Sequence, residues 1–206
     1  VTVPDRAGAR PPASASHHGN RHGRSEAARS AVLQAVDDLL VERGLAGVTI
    51  EAIAARAQVA KQTIYRWWDS KTDILFEALV LDAEAHFTPP DHGDLGRDLR
   101  DHLRQVAVFL TGTDAGAVWR ALAGQAQLDP AVAARFSTEV TAPQRERDRR
   151  LLDRARERGQ LPETADIELA VDQLVGPVYY RVLVSGEPVT PEFTDELVTR
   201  VLRTLS

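Results

Sequence analysis

The sequence predicts an all-α fold of about nine helices, with a small N-terminal helix-turn-helix unit followed by a larger helical body. Three observations carry this. Apolar residues recur at helical spacing in nearly every segment after residue 27, the breaks between segments fall on Gly and Pro, and no run shows the two-residue alternation of a half-buried strand.

The first helix is expected over Ala27 to Glu42, where Ala28, Val32, Val36, Leu39 and Leu40 form one stripe and Gly44 stops the run. Thr49 can cap a second helix through its hydroxyl, with Glu51 in the first turn, where the helix dipole favours a negative charge. Ile50, Ile53, Ala54 and Ala57 then share a face, and Val59 is the apolar plug of an elbow. From Lys61 a new period begins, with Ile64 and Trp68 four apart and directed inward. At about 100° per residue, Gln62, Thr63, Tyr65 and Arg66 spread over the opposite side.

That outer arc is chemically suited to a nucleic acid. An arginine can grip a guanine edge bidentately and a glutamine an adenine edge, while Tyr, Thr and Lys donate well to phosphate. Lys61 stands in the first turn, whose N–H groups also attract phosphate. A helix, a tight turn and a second helix with such a face form the unit that lays one helix in the major groove. An isolated polar helix would more simply be a solvated face of a bundle. Here Tyr65, Trp67 and Trp68 lie in or beside a basic stretch, which favours a binding surface.

Residues 28 to 80 resemble the DNA-binding domain of the TetR family of bacterial transcriptional regulators. The resemblance rests on Glu42-Arg43-Gly44-Leu45 closing the first helix, the Thr-capped second helix, and Lys61, Thr63, Ile64, Tyr65, Trp68, Ser70 and Lys71. It implies phosphate contacts for Thr63, Tyr65 and Lys71, and base reading by Gln62 and Arg66. It also implies a backbone contact through the Trp67 N–H, with packing as the alternative, and a structural Trp68. The DNA-facing set is then Thr49, Lys61, Gln62, Thr63, Tyr65, Arg66, Trp67 and Lys71. Two departures stand out. Gln58 occupies a turn position that is usually Gly, where a left-handed backbone costs a non-Gly residue roughly 1 kcal/mol. Ala60 stands where a Ser or Thr cap is usual, a loss of about 1 kcal/mol.

The later elements follow in order. Ile74 to Phe87 carries Ile74, Leu75, Ala78, Leu79 and Leu81 and would link head to body, and Thr88 to Gly93 is a break. Leu95 to Leu110 and Ala117 to Leu128 are expected as helices separated by a Gly-containing loop at Thr111 to Gly116. Asp129-Pro130 is a capped start for a helix to about Val140, which Pro143 kinks or restarts. Arg145 to Arg158 interleaves charges, with Glu146–Arg150 and Arg149–Asp153 four apart, and reads as a solvated face ended by Gly159 and Pro162. Ile167 to Val184 is apolar on more than one face and should bend at Gly176-Pro177; a last helix starts at Thr190-Pro191.

These two final helices are the expected homodimer interface, through Leu174, Val178, Val182, Phe193, Leu197 and Val201, with an ordinary intrachain core as the alternative. Dimerisation also suits function, because one short recognition helix reads few bases and two heads can read a palindromic operator in double-stranded DNA. The resemblance implies a small-molecule effector pocket among the central helices, for which His102, Val106, Phe109, Trp119, Leu122 and Tyr179 are the candidates, each also explicable as core. The apolar lining suggests a hydrophobic or aromatic effector.

Composition agrees. The chain has 206 residues, net charge −5 and no cysteine, which excludes disulfides and thiolate zinc sites. Residues 1–70 hold nine Arg or Lys against seven Asp or Glu, whereas residues 71–206 hold sixteen against twenty-three, so the acidity lies outside the head. No apolar run approaches the roughly 20 residues that span a bilayer, and residues 1–24 lack the apolar core of a secretory signal. No membrane partner and a cytoplasmic location are expected. Residues 1–24 are expected as a disordered arm, 25–71 as the head and 72–206 as the body. Arg6, Arg10, Arg21, Arg24 and Arg29 could reach a minor groove, and His17, His18 and His22 could hold a metal, but a solvated tail is the simpler reading of both. No cofactor is implied. An enzyme is disfavoured, since the six His are scattered and no paired carboxylates or His-Glu-x-x-His spacing occur. The alternative is a helical small-molecule-binding or interaction protein without operator control.

Overall fold

The computed structural model describes residues 19–205, with side chains from Ser25 onward. Among these residues there is no strand. Helix α1 spans Gly19–Gly47, α2 Ile50–Arg56, α3 Lys61–Tyr65 and α4 Lys71–His86. The body adds α5 Leu95–Gly112, α6 Asp114–Ala126, α7 Pro130–Arg135, α8 Ala142–Glu157, α9 Ile167–Tyr180 and α10 Pro191–Leu205. A π-helical turn, Phe136–Thr141, joins α7 to α8 without a break, so the described residues form nine rods.

The head is a three-helix unit in which α1 packs on α2 and α3, and α4 returns along α1. Val36, Ile53, Ile64 and Ile74 are fully buried at its centre. Arg56 ties α2 to α1 through Asp38 at 3.2 Å and Glu42 at 2.5 Å. Helix α6 touches α1 and α4 as well as α5 and α7, and is thus the hub between head and body. The body core is built by α5, α8, α9 and α10 around Leu99, Leu103, Leu152, Val171 and Val178.

Several boundaries differ from expectation. Helix α1 begins at Gly19 rather than near residue 27, so residues 19–24 of the expected disordered arm are helical; residues 1–18 lie outside the described residues. Extending an existing helix needs no new nucleus, and no proline intervenes. The helix bends at Gly44, whose φ of 65° and ψ of −178° interrupt the run where a stop is expected. Helix α4 starts at Lys71 because Ser70 and Asp73 form a capping box: Asp73 Oδ2 accepts the Ser70 N–H at 2.8 Å, and Ser70 Oγ accepts the Asp73 N–H at 3.3 Å.

The expected loop at Thr111 to Gly116 does not exist. Thr113 Oγ1 accepts the Gly116 N–H at 2.9 Å and caps α6 one residue after α5 ends. A Cβ on Gly116 would lie 2.0 Å from the Phe109 carbonyl oxygen, so this glycine serves a close helix approach. Pro143 stands in the first turn of α8, where the α-helix restarts after the π turn while the backbone stays helical across the join. The π turn ahead of it widens the helix, and the Ala142 N–H reaches back to the Ser137 carbonyl, a register that accommodates a residue with no N–H to donate. Helix α9 continues through Pro177 and widens into a second π turn, Arg181–Ser185, closed by Gly186 at φ 68°. The expected pairs Glu146–Arg150 and Arg149–Asp153 form at 3.3 and 3.5 Å.

Candidate nucleic-acid interface and central cavity

Five residues long, α3 is held by what lies behind it. Ile64 is fully buried and Trp68, just past the helix, is 4% exposed. The turn before it places Gln58 at φ 55°, the one non-Gly residue with positive φ among those described, and Ala60 supplies no side-chain cap. Both departures read from the sequence are therefore real, and the elbow is secured instead by the Val59 N–H donating to the Ala54 carbonyl at 3.0 Å.

The outer edge carries exposed Lys61, Gln62, Tyr65 and Arg66, with Thr63 half-buried beside them. Tyr65 is 52% and Trp67 38% exposed, far above what packing on the chain's own core would leave. Lys61 Nζ donates to Glu51 Oε1 at 2.5 Å, and this hydrogen bond holds the Glu51 carboxyl below its ordinary pKa. Thr49 caps α2 by accepting the Ala52 N–H at 3.1 Å. Lys71 is turned inward: its Nζ donates to the carbonyls of Val48 at 3.1 Å and Leu45 at 3.5 Å. In the free protein it satisfies carbonyls at the end of α1 instead of facing outward as a phosphate donor.

Sequence spacing misses how Trp67 is held. The guanidinium carbons of Arg29 and Arg66 lie 5.8 and 5.9 Å from its ring centroid, a cation–π bracket. Arg29 Nη2 meets Glu77 Oε1 at 2.5 Å, and Glu77 Oε2 accepts the Trp68 indole N–H at 2.9 Å. Arg66 Nη2 donates to Ser25 Oγ at 3.4 Å. Arg29, considered in the sequence only as part of an N-terminal series, is thus an anchor between α1 and the recognition edge. Nothing in linear spacing joins it to Glu77 on α4.

The body holds a cavity of about 580 Å³ of empty space, its mouth included. Val106, Phe109, Trp119 and Tyr179 line it, as the sequence suggested, together with Phe87, Gln144 and Arg147. Trp119 and Tyr179 stack with centroids 5.0 Å apart, and Phe87 and Phe109 pack at 4.8 Å. Burial pushes the Tyr179 phenol above its ordinary pKa. Two candidates do not line it. Leu122 is fully buried in the core, and His102 turns to Asp148, its Nε2 2.5 Å from Oδ1 in a buried pair.

The expected dimer residues divide likewise. Leu174, Val178 and Val201 are spent on the chain's own core, because α9 packs against both α8 and α10. Val182, Phe193 and Leu197 are partly buried, and Arg181 covers the Phe193 ring at 3.5 Å. The uncovered apolar residues of α9 and its π turn are Leu169, Tyr180, Leu183 and Val184. His17, His18, Arg6 and Arg10 lie outside the described residues, as do the side chains of His22, Arg21 and Arg24. No group of three or more His, Cys, Asp or Glu among the described residues could hold a metal, and no described helix is long and apolar enough to cross a membrane.

Comparison with known proteins matches both parts of the chain. Residues 32–78 match the family model for bacterial regulatory proteins of the tetR family, and residues 89–201 match that for the tetracyclin repressor-like C-terminal domain. An uncharacterised HTH-type transcriptional regulator of Bacillus subtilis, YdeS, is 35% identical over 180 residues, covering 87% of this chain and 90% of that protein. An uncharacterised HTH-type regulator of Mycobacterium bovis is 27% identical over 164 residues, covering 80% of each chain. Among solved structures, the TetR family transcription regulator SCO0332 superposes with a TM-score of 0.72 at 36% identity, covering 87% of this chain and 98% of that one.

Proposed function

The chain belongs to the TetR family of DNA-binding transcriptional regulators, and from that premise we propose that it is a homodimeric repressor whose paired heads read a palindromic operator and let go when a small apolar or aromatic effector fills the central cavity. The observation that carries the DNA-reading half is the edge of α3: Gln62, Tyr65 and Arg66 project outward while Ile64 and Trp68 brace the helix from behind. Arg66 and Gln62 are the base readers. Lys61, Thr63, Tyr65 and the Trp67 N–H serve the phosphates, with Thr49 at the N-terminus of α2 beside them. Lys71 joins them only if it leaves the carbonyls it holds.

The dimer half is supported by the face of α9 on which Leu169, Gln173, Gly176 and Tyr180 fall within about 60° of one another at helical spacing. A Cβ on Gly176 would meet nothing within 4 Å, which leaves room for a second helix to approach closely. Heads related by a two-fold axis would contact half-sites about 34–36 Å apart, or somewhat more. Release requires that the effector favour one head spacing over the other, a coupling of about 1–3 kcal/mol.

Selection of bound sequences from a random oligonucleotide pool tests the reading. A recovered palindrome is expected, with affinity that falls steeply with salt. Repeating the selection with Arg66→Ala should relax preference at one position in each half-site, a loss of about 1–3 kcal/mol, while Tyr65→Phe should weaken binding to all sequences alike. Recovery of no common sequence would defeat the operator reading. Unchanged selectivity of Arg66→Ala would move base reading to another side chain.

A further inference from the structure

The charge inventory of α8 singles out one residue. Arg145, Arg149, Arg150, Arg154 and Arg156 each have a carboxylate partner, as does Arg158 at the helix end. Arg147 has no ion pair among the described residues, although it is the one arginine of this helix that lines the central cavity apart from its neighbours' surface network. Burial holds its pKa below the ordinary arginine value. Asp148, next in the chain, and Glu84 act on it favourably at longer range, but no carboxylate contacts it. A guanidinium drawn away from water with no counter-charge in contact is costly, and a ligand anion relieves it.

Its orientation is fixed from behind. Nε and Nη2 donate to Gln144 Oε1 at 3.3 and 2.8 Å. Gln144 Nε2 in turn donates to Asp148 Oδ1 at 2.8 Å, and the same oxygen receives His102 Nε2 at 2.5 Å. Since Asp148 accepts from the amide nitrogen, the amide oxygen must face Arg147, so the relay sets the direction of the guanidinium. All three supporting side chains are buried. Nη1 has no protein acceptor among the described residues. The guanidinium carbon lies 5.4 Å from the Phe87 ring centroid, on the same side as the aromatic walls.

We propose that the cavity takes a small planar aromatic carboxylate, its ring held among Phe87, Phe109, Trp119 and Tyr179 and its charge paired with Arg147. This assignment rests on the reading of the cavity as an effector site. The stacked and tilted ring pairs of the lining offer flat apolar walls, and a carboxylate at Arg147 forms a charge-assisted bond that a neutral isostere cannot. The other charged groups of the lining do not fill this role: Glu139 is taken by Arg135 at 2.9 Å, and Glu84 is exposed, makes no ion pair among the described residues and acts on Arg147 only at longer range.

The test is calorimetric titration of the full chain at pH 7.5 with matched pairs, benzoate against benzamide and 2-naphthoate against 2-naphthamide. At least one acid should bind about tenfold or more tightly than its amide. In Arg147→Gln, with its fold checked by circular dichroism, that preference should shrink to about twofold or less, while Arg147→Lys keeps part of it and Arg150→Gln, on the exposed face of the helix outside the cavity, keeps it all. Amides that bind as well as acids, or an acid preference that survives Arg147→Gln, would overturn the carboxylate assignment and leave the cavity reading intact. Absence of binding by every member of both pairs would overturn the cavity reading and this assignment together.

Discussion

Gln58 spends free energy that its neighbours do not recover locally. At φ 55° its Cβ crowds the following carbonyl, and the next helix begins at Ala60 with no side-chain cap. Replacing Gln58 with Gly should therefore raise stability by about 0.5–1 kcal/mol, a rise of roughly 1–4 °C in thermal midpoint, without altering operator preference. A lower midpoint would mean that the Gln58 side chain makes a contribution outweighing the backbone strain. Asp37 on α1 raises a second matter of single-residue energetics. Burial, reinforced by Asp82, Asp114 and Asp38, lifts its pKa from 3.8 to about 7, and its Oδ1 is buried without a hydrogen-bond partner. A carboxyl with a folded pKa above its unfolded value binds more protons when folded, so its contribution to stability falls as pH rises from about 4 to about 7 and stays low above that. Asp37→Asn should change the midpoint little at pH 4 and raise it by several degrees at pH 8. Thermal melts of both proteins at the two pH values check this, and a pH-independent difference would refute it.

Between elements, a close approach of α5 and α6 is the place where sequence reading goes wrong. Gly112, Thr113 and Gly116 resemble a flexible loop in composition, yet Gly116 is where α6 passes over the end of α5 and a Cβ would sit 2.0 Å from the Phe109 carbonyl oxygen. Gly116→Ala should destabilise the protein by about 1–3 kcal/mol despite the better helix propensity of alanine, read as a lower denaturant midpoint. An unchanged or higher midpoint would show that α5 and α6 part without loss. The same contrast explains what is legible. The edge of α3 can be read directly because its periodicity, its bracing Ile64 and Trp68 and its polar arc lie within a dozen consecutive residues. The bracket of Trp67 by Arg29, and the tie from Arg29 to Glu77, cannot be read that way, because they join three helices through side chains with no fixed spacing. Nor can the special place of Arg147 be separated from the dense charges around it until the partners of each arginine are known. Proline positions are legible as disturbances, but not their outcome, since a π turn and a kink answer the same missing N–H.

For the whole molecule, the proposed dimer depends on which face of α9 is left over. A helix apolar on most of its circumference must be covered on two sides, and the chain covers one: Ile167, Ala170, Val171, Leu174 and Val178 meet α8 and α10. Leu169, Tyr180, Leu183 and Val184 remain open to solvent, with Tyr180 59% and Leu183 46% exposed. They are therefore better interface residues than Leu174, Val178 or Val201, whose substitution would damage the monomer itself. Charges placed on the open face separate the two roles. The double variant Tyr180→Glu, Leu183→Glu should retain helical content and a thermal transition, because neither side chain belongs to the chain's own core. It should nevertheless sediment at half the parent mass and lose operator affinity by a factor of about 100 or more, as a lone head forfeits the second half-site. Analytical ultracentrifugation beside operator titration reads both quantities. A variant that stays dimeric places the two-fold axis on another surface, whereas a monomer that binds the operator as tightly as the parent removes the need for paired heads.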